Sequence, residues 1–106
     1  MVFVEAGHFS KYLARHLADD EYRLLQKFLA QHPDAGAIIR GSGGIRKVRW
    51  GSRGKGKSGG VRVIYYWRRT AEQIHLLLIY GKAEKQNLTA QDLRRVKDLL
   101  EEIDDA

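Results

Sequence analysis

The hydrophobic positions near the start of the chain recur every three or four residues, the spacing of a helix that buries one face. After a short strand at residues 2–4, the first run predicts a helix over residues 9–17. A second helix is predicted to start at Asp19 or Asp20, whose side chains can cap free backbone amides. It should end near His32, because Pro33 cannot continue the amide ladder. Two helices joined this closely predict a helical hairpin.

The middle of the chain changes to the alternation of strands, over residues 45–50, 61–67 and 74–80. The third run is apolar on both faces except at His75, as in a central strand covered on both sides. Links of about ten and about six residues are too short for helical crossovers, so the pairing should be antiparallel. Residues 34–44 are predicted as a loop with Ile38 and Ile39 tucked beneath it.

A last helix is predicted over residues 90–103, with Thr89 as its N-cap and Asp92 three residues on. Its apolar stripe should dock on the sheet or receive a partner. The order predicts one domain over residues 1–106. Its fold class is α+β, with a small, curved, mainly antiparallel sheet, an N-terminal helical hairpin and a C-terminal helix.

Charge is concentrated in the predicted sheet. Residues 40–69 hold ten Lys and Arg without an Asp or Glu, whereas the remainder holds nine basic and thirteen acidic residues. A field this local favours a polyanionic partner, most simply nucleic acid, with an acidic protein or a merely solvated loop as alternatives.

Several classes of chemistry lack their residues. There is no cysteine, and no pair of the four histidines has metal-ligand spacing beside a carboxylate, so neither a metal nor a cofactor is expected. The N-terminus does not resemble a signal peptide, and no apolar run approaches the length of a membrane span. We therefore expect a cytoplasmic protein without membrane contact.

Residues 51–58, GSRGKGKS, match the pattern of a phosphate-binding P-loop. That motif opens a helix, whereas the residues that follow here are predicted as a strand, so nucleotide hydrolysis is rejected. The loop is interpreted as a flexible cationic segment. Trp50, Tyr65 and Trp67 are expected in the core, whereas Tyr66 and Tyr80 are expected to be exposed, where bases can stack on them.

Alternation places Tyr80 and Lys82 on one face, and Arg62 could share that face one strand away. Such a cluster suits RNA cleavage without a metal ion. Arg can hold the phosphate, Lys can act as base or acid, and Tyr can move a proton or stack a base.

The segments DDEYRLLQ, GSGGIRKVRW, GKGKSGGVRVIYYW and LLLIYGKAEKQNLT resemble, in order, the RelE/HigB family of toxins from type II toxin–antitoxin modules, the HigB-like subgroup most of all. The resemblance covers nearly the whole chain and implies the fold predicted above. It also implies metal-independent, ribosome-dependent cleavage of mRNA. The implied partner is an antitoxin, expected to be acidic and of the helix-turn-helix type, through which alone operator DNA is bound.

The resemblance matches Arg62, Lys57 and Lys82 to basic residues of the family's site, and Tyr80 is added from the alternation of its strand; these four are the expected catalytic residues. The residues expected to bind RNA or the ribosome are Arg46, Lys47, Arg49, Arg53, Lys55 and Tyr66. The chain departs from RelE where that protein has a further Arg after the glycine–lysine pair and a Tyr near the last helix; here Ala83 and residues 87–89 stand instead. A ParE-like gyrase inhibitor and a non-catalytic RNA- or ribosome-binding module are the alternatives.

Overall fold

The computed structural model describes residues 1–51, 60–85 and 87–104. The helices are α1 (Gly7–His16), α2 (Asp19–Gln31) and α3 (Ala90–Asp104), and the strands are β1 (Val2–Glu5), β2 (Ala37–Ile38), β3 (Arg46–Trp50), β4 (Val61–Arg68) and β5 (Gln73–Gly81). A single 3-10 turn, Arg69–Ala71, joins β4 to β5. Each predicted helix and strand is therefore present, and β2 is an addition within the predicted loop.

The described strands form one sheet in the order β1-β5-β4-β3-β2. β3, β4 and β5 are antiparallel neighbours, as the short links require, and β1 adds to β5 in parallel. β5 is a central strand whose residues from Ile74 to Tyr80 are all buried, which confirms the prediction from its apolar run.

Helices cover both faces of the sheet. On one face, α1 and α2 contribute Phe9, Leu25 and Leu29 to a cluster with Val63 and Tyr65 of β4. On the other face, Val96 and Leu100 of α3 pack on a second cluster, which includes Ile45, Ile64, Leu77, Leu78 and Tyr80. The apolar stripe of the last helix therefore docks on the sheet.

Between Ile64 and Tyr65 the register with β5 shifts by one residue. Ile64 pairs with Leu78 and Tyr65 with Leu76, so Leu77 is the extra residue of a β-bulge. Because of the bulge, Leu77 and Leu78 both join the cluster beneath α3. Simple alternation along β5 does not predict this.

α2 begins at Asp19, as predicted, and Oδ1 of Asp20 accepts the backbone N–H of Glu21 at 3.0 Å. The residue at the N-cap position is Ala18, whose backbone N–H donates to Oε1 of Glu21 at 3.0 Å. The prediction that Ile38 is tucked beneath the loop is wrong. Ile38 is 58% exposed, because it belongs to the short edge strand β2 and not to a covered loop. Ile39 is partly buried against the cluster beneath α3, as expected.

The start of α3 is as predicted. Thr89 Oγ1 accepts a hydrogen bond from the backbone N–H of Asp92 at 3.0 Å, and Asp92 Oδ2 accepts one from the N–H of Thr89 at 3.1 Å. This reciprocal capping box fixes the first turn of the helix. The three helices and the mainly antiparallel sheet together confirm the α+β fold class. No helix among the residues described here is long and apolar enough to cross a membrane.

Candidate functional site

The register of the three central strands brings together side chains that are far apart in sequence. Arg62 of β4 lies directly opposite Tyr80 of β5 on one side and Arg49 of β3 on the other. Residues directly opposite each other in a sheet share a face. The prediction that Arg62 and Tyr80 share a face is confirmed, and this face is the one that α3 covers in part.

Arg62 and Tyr80 are both buried, with 5% and 2% of their surfaces exposed. Nη1 of Arg62 and Oη of Tyr80 are buried atoms with no hydrogen-bond partner among the described residues. The expected exposure of Tyr80 is wrong, because its ring packs into the cluster beneath α3. What the sheet holds there is a buried cation beside a buried hydroxyl, both with unused hydrogen-bonding capacity.

The surroundings of Tyr80 keep its phenol protonated. Burial raises the pKa of Tyr80, the Arg62 guanidinium lowers it, and the charge of Asp92 raises it. Nζ of Lys85 lies 5.2 Å from the centroid of the Tyr80 ring. At neutral pH Tyr80 is therefore a hydroxyl that can donate a hydrogen bond to an anion.

A second interaction holds Lys85 in place. Its Nζ lies 2.5 Å from Oδ2 of Asp92, a residue only 8% exposed. Burial alone would raise the pKa of Asp92, but the hydrogen bond from Lys85 and two with Thr89 lower it. The carboxylate is therefore ionised at neutral pH and pairs with the ammonium group.

The other predicted site residues are only partly gathered. Lys47 lies on the same face as Arg49, two residues earlier in β3, and Lys82 is exposed in the turn after β5. Tyr66 is partly buried on the same face but four residues beyond Arg62, beside Gly44. Arg53, Lys55 and Lys57 lie outside the described residues, as does most of the P-loop-like string.

Arg46 is directed away from this group. It pairs with Tyr65, a residue of the cluster beneath α1 and α2. Its Nη1 donates to the backbone carbonyls of Asp34 at 3.1 Å and of Gly36 at 2.8 Å. These bonds secure the segment before β2, so the structure gives Arg46 a structural contact and places it apart from Arg62 and Tyr80.

Sequence reasoning did not find Lys85. The capping pattern indicated Asp92 as a helix-start residue, and no spacing rule shows that the same carboxylate binds a lysine seven residues earlier. The sequence shows only a lysine before the N-cap and an aspartate after it, which is a common arrangement at helix starts. Only the docking of α3 on the sheet brings both residues to Tyr80.

Among the residues that the structure describes, no group of three or more His, Cys, Asp or Glu side chains is arranged to hold a metal ion. His16 instead contacts Glu84, with Nε2 and Oε1 separated by 2.9 Å. Glu84 also accepts the backbone N–H of Gly81 at 3.1 Å. This contact ties the turn after β5 to the end of α1.

One comparison with known proteins identifies the family. The sequence model of the family described as the RelE toxin of the RelE/RelB toxin–antitoxin system matches residues 8–106. That span includes α1 from its second residue onward, α2, α3 and β2 to β5. With nearly the whole chain matched and the fold in agreement, this protein belongs to the RelE family and is a toxin of a toxin–antitoxin system.

Proposed function

We propose that this toxin is a ribosome-dependent mRNA endoribonuclease of the HigB-like subgroup that needs no metal ion and inhibits translation. The observation that carries the proposal is the buried Arg62–Tyr80 pair, in which Nη1 of Arg62 and Oη of Tyr80 have no hydrogen-bond partner among the described residues. Leaving a buried polar group without a partner costs roughly 1–3 kcal/mol, and more for a charged group. A phosphodiester would satisfy both groups at once.

The position of Arg49 supports the same ligand. It lies directly opposite Arg62 in the neighbouring strand, and like charges in directly opposed positions destabilise a sheet. Lys47 lies on the same face, two residues along β3. A bound phosphate group would turn this repulsion into attraction, which is the usual reason for gathering arginines on one surface.

The chemistry that fits this arrangement is attack of a ribose 2′-oxygen on the adjacent phosphorus. The bond between the 2′-oxygen and phosphorus forms, the bond to the 5′-oxygen breaks, and a cyclic phosphate and a 5′-hydroxyl result. Arg62 would stabilise the charge on the non-bridging oxygens, and the neutral Tyr80 would donate its proton toward the departing oxygen. Lys57 or Lys82 would accept the proton of the 2′-hydroxyl.

Both groups are covered in this structure, so the phosphodiester reaches them only when covering side chains move. Many enzymes assemble their site upon such closure or opening, which excludes water during the reaction. We propose that the ribosome, by presenting one mRNA segment to the basic face, drives this step. A requirement for the ribosome would then follow from the burial of Arg62 and Tyr80.

The family implies an antitoxin, and we propose that it is acidic, of the helix-turn-helix type, and solely responsible for binding operator DNA. The basic segment of residues 40–69 supports an acidic partner, because opposite charges speed association and exclude wrong partners. The antitoxin would cover part of that segment or the outer helices.

Induced expression in a bacterial host tests the function. The wild-type toxin should arrest growth and leave truncated transcripts, whereas Arg62→Met should allow growth with intact transcripts, because the phosphate contact is lost. Arg23→Met is the matched control, since Arg23 is exposed on α2, outside the site. Arrest with intact mRNA and broken DNA would instead indicate a gyrase inhibitor, and ribosome binding without cleavage would indicate a non-catalytic module.

A further inference from the structure

Lys85 and Asp92 form a contact that the proposed cleavage reaction leaves unused. Lys85 lies in the segment between β5 and α3, and its side chain is 31% exposed. Its Nζ is 2.5 Å from Oδ2 of Asp92 and 5.2 Å from the centre of the Tyr80 ring. One ammonium group therefore touches both the carboxylate and the face of the aromatic ring, at cation–π distance.

Asp92 is held from the opposite direction by the helix. Its Oδ2 accepts the N–H of Thr89 and its own N–H donates to Thr89 Oγ1, at 3.1 and 3.0 Å. The helix is in turn fixed to the sheet by Val96 and Leu100, which are 0% and 8% exposed. The position of the ammonium group is therefore set by the docking of α3 and not by the freedom of a surface lysine.

Tyr80 needs such a contact. Its hydroxyl has no hydrogen-bond partner among the described residues, so no hydrogen bond from them fixes its direction. The ring is located by packing in the cluster beneath α3 and by the ammonium group on its face. Loss of the ammonium group would leave the hydroxyl free to move relative to Arg62.

Building on the proposed function, we propose that Lys85 and Asp92 are positioning residues for RNA cleavage: Asp92 holds Lys85 against the Tyr80 ring, which keeps the Tyr80 hydroxyl beside Arg62. The charge of Lys85 is balanced by Asp92, so the pair adds no net attraction for a phosphate. The pair therefore acts on the reacting geometry and leaves substrate affinity nearly unchanged.

The pair also sets the charge around the phenol. The charged and titratable groups near this end of the site are Arg62 and Arg49 from the sheet, Glu84 and Lys85 from the connecting segment, Asp92 and Arg95 from α3, and His8 and His16 from α1. Removing Lys85 leaves the Asp92 carboxylate uncompensated, which favours the neutral phenol and raises its pKa. Removing the charge of Asp92 leaves Lys85 uncompensated, which lowers that pKa.

Four variants test the proposal by kcat and KM for a defined mRNA on purified ribosomes. Lys85→Met removes the charge but keeps an unbranched chain, and Lys85→Arg keeps the charge. Asp92→Asn removes the ion pair while its amide oxygen can still cap Thr89. Lys97→Met is the matched control, because Lys97 is an exposed lysine elsewhere on α3.

We expect Lys85→Met and Asp92→Asn to lower kcat by about ten- to a hundredfold, the usual effect of misplacing a reacting group. KM should change less than about twofold, in line with an interaction made only in the reacting state. Lys85→Arg should retain most of the wild-type kcat, and Lys97→Met all of it. Full activity of Lys85→Met, or a loss confined to KM, would overturn the proposal.

A titration of the Tyr80 phenol, followed by ¹³Cζ resonances from pH 7 to 12 and assigned with Tyr80→Phe, needs no cleavage. Its pKa should fall in Asp92→Asn and rise in Lys85→Met, relative to the wild type. If the pair had only a structural role, the pKa of Tyr80 would shift in the same direction in both variants, and that result would overturn the proposal. If wild-type toxin leaves mRNA intact, the proposed nuclease fails, while this titration still decides whether the pair controls Tyr80.

Discussion

Replacing Tyr80 with Phe should make the free toxin more stable, which is unusual for a buried side chain. The substitution removes a single oxygen atom and keeps the ring in the cluster beneath α3. That oxygen is buried and has no hydrogen-bond partner among the described residues, so it contributes a desolvation cost without a compensating bond. Its removal should therefore relieve the folded state of that cost.

The expected gain in stability equals the free-energy cost of burying a hydroxyl that makes no hydrogen bond, about 1–3 kcal/mol in protein mutational data. Tyr80 is 2% exposed, so nearly the whole cost applies. The free energy of unfolding should rise by roughly 1–3 kcal/mol in Tyr80→Phe. For a domain of about this size, each kcal/mol corresponds to roughly 4 °C or more in Tm.

Tyr65→Phe is the matched control, because Tyr65 is a buried tyrosine of β4, the strand next to β5 in the same sheet. Tyr65 is 0% exposed, but its hydroxyl donates to the carbonyl of Pro33 at 2.8 Å and accepts the N–H of Gly36 at 2.9 Å. The same chemical change there removes two bonds and leaves two backbone groups unpaired. Its free energy of unfolding should fall by about 1–3 kcal/mol.

Urea denaturation of purified toxin, followed by circular dichroism, measures both variants under one set of conditions. We expect opposite signs for the two substitutions, and in cleavage assays Tyr80→Phe should lose activity although it gains stability. If Tyr80→Phe were destabilised as much as Tyr65→Phe, the Tyr80 hydroxyl would be bonded in the free protein. The argument for an anion site from its unused capacity would then collapse.

Two further predictions concern stability alone. The pKa of Asp92 is lowered in the folded protein, so its ionised carboxylate stabilises the fold fully above the ordinary pKa of 3.8. This stabilisation is lost as pH falls through the lower pKa of the folded state. The difference in urea midpoint between the wild type and Asp92→Asn should therefore disappear in acid. A gap that is independent of pH would contradict this. Gly36→Ala should cost about 1–3 kcal/mol, because its Cβ would lie 2.9 Å from the carbonyl oxygen of Lys47. Gly7→Ala, whose Cβ meets nothing within 4 Å, should be neutral or slightly stabilising in the same urea denaturation experiment.

The sequence predicts the elements of this fold well, because each has a strong local signal. The spacing of apolar residues indicates the helices, and alternation indicates β3 to β5, whose short links allow only antiparallel pairing. The cap at Thr89 and Asp92 is also readable, since both partners lie within one helical turn. The start of α2 is readable for the same reason, since Asp20 accepts the backbone N–H of Glu21 within the first turn.

The candidate site is less predictable, since its properties depend on contacts distant in sequence. Alternation indicated that Arg62 and Tyr80 could share a face, but their direct opposition depends on register. The burial of Tyr80 follows from where α3 docks, which an apolar stripe does not specify. The same docking creates the contact between Lys85 and Asp92, so that pair could not be predicted from local patterns.

The most direct test of the central claim is cleavage of a defined mRNA by purified toxin in one buffer, with and without ribosomes. The account predicts that wild-type toxin cuts the mRNA only on the ribosome and yields a cyclic phosphate end. Arg62→Met should reduce the rate by about a hundredfold or more, as expected for the loss of a group that stabilises transition-state charge. Intact mRNA with the wild type, or equal cleavage by Arg62→Met, would contradict the account.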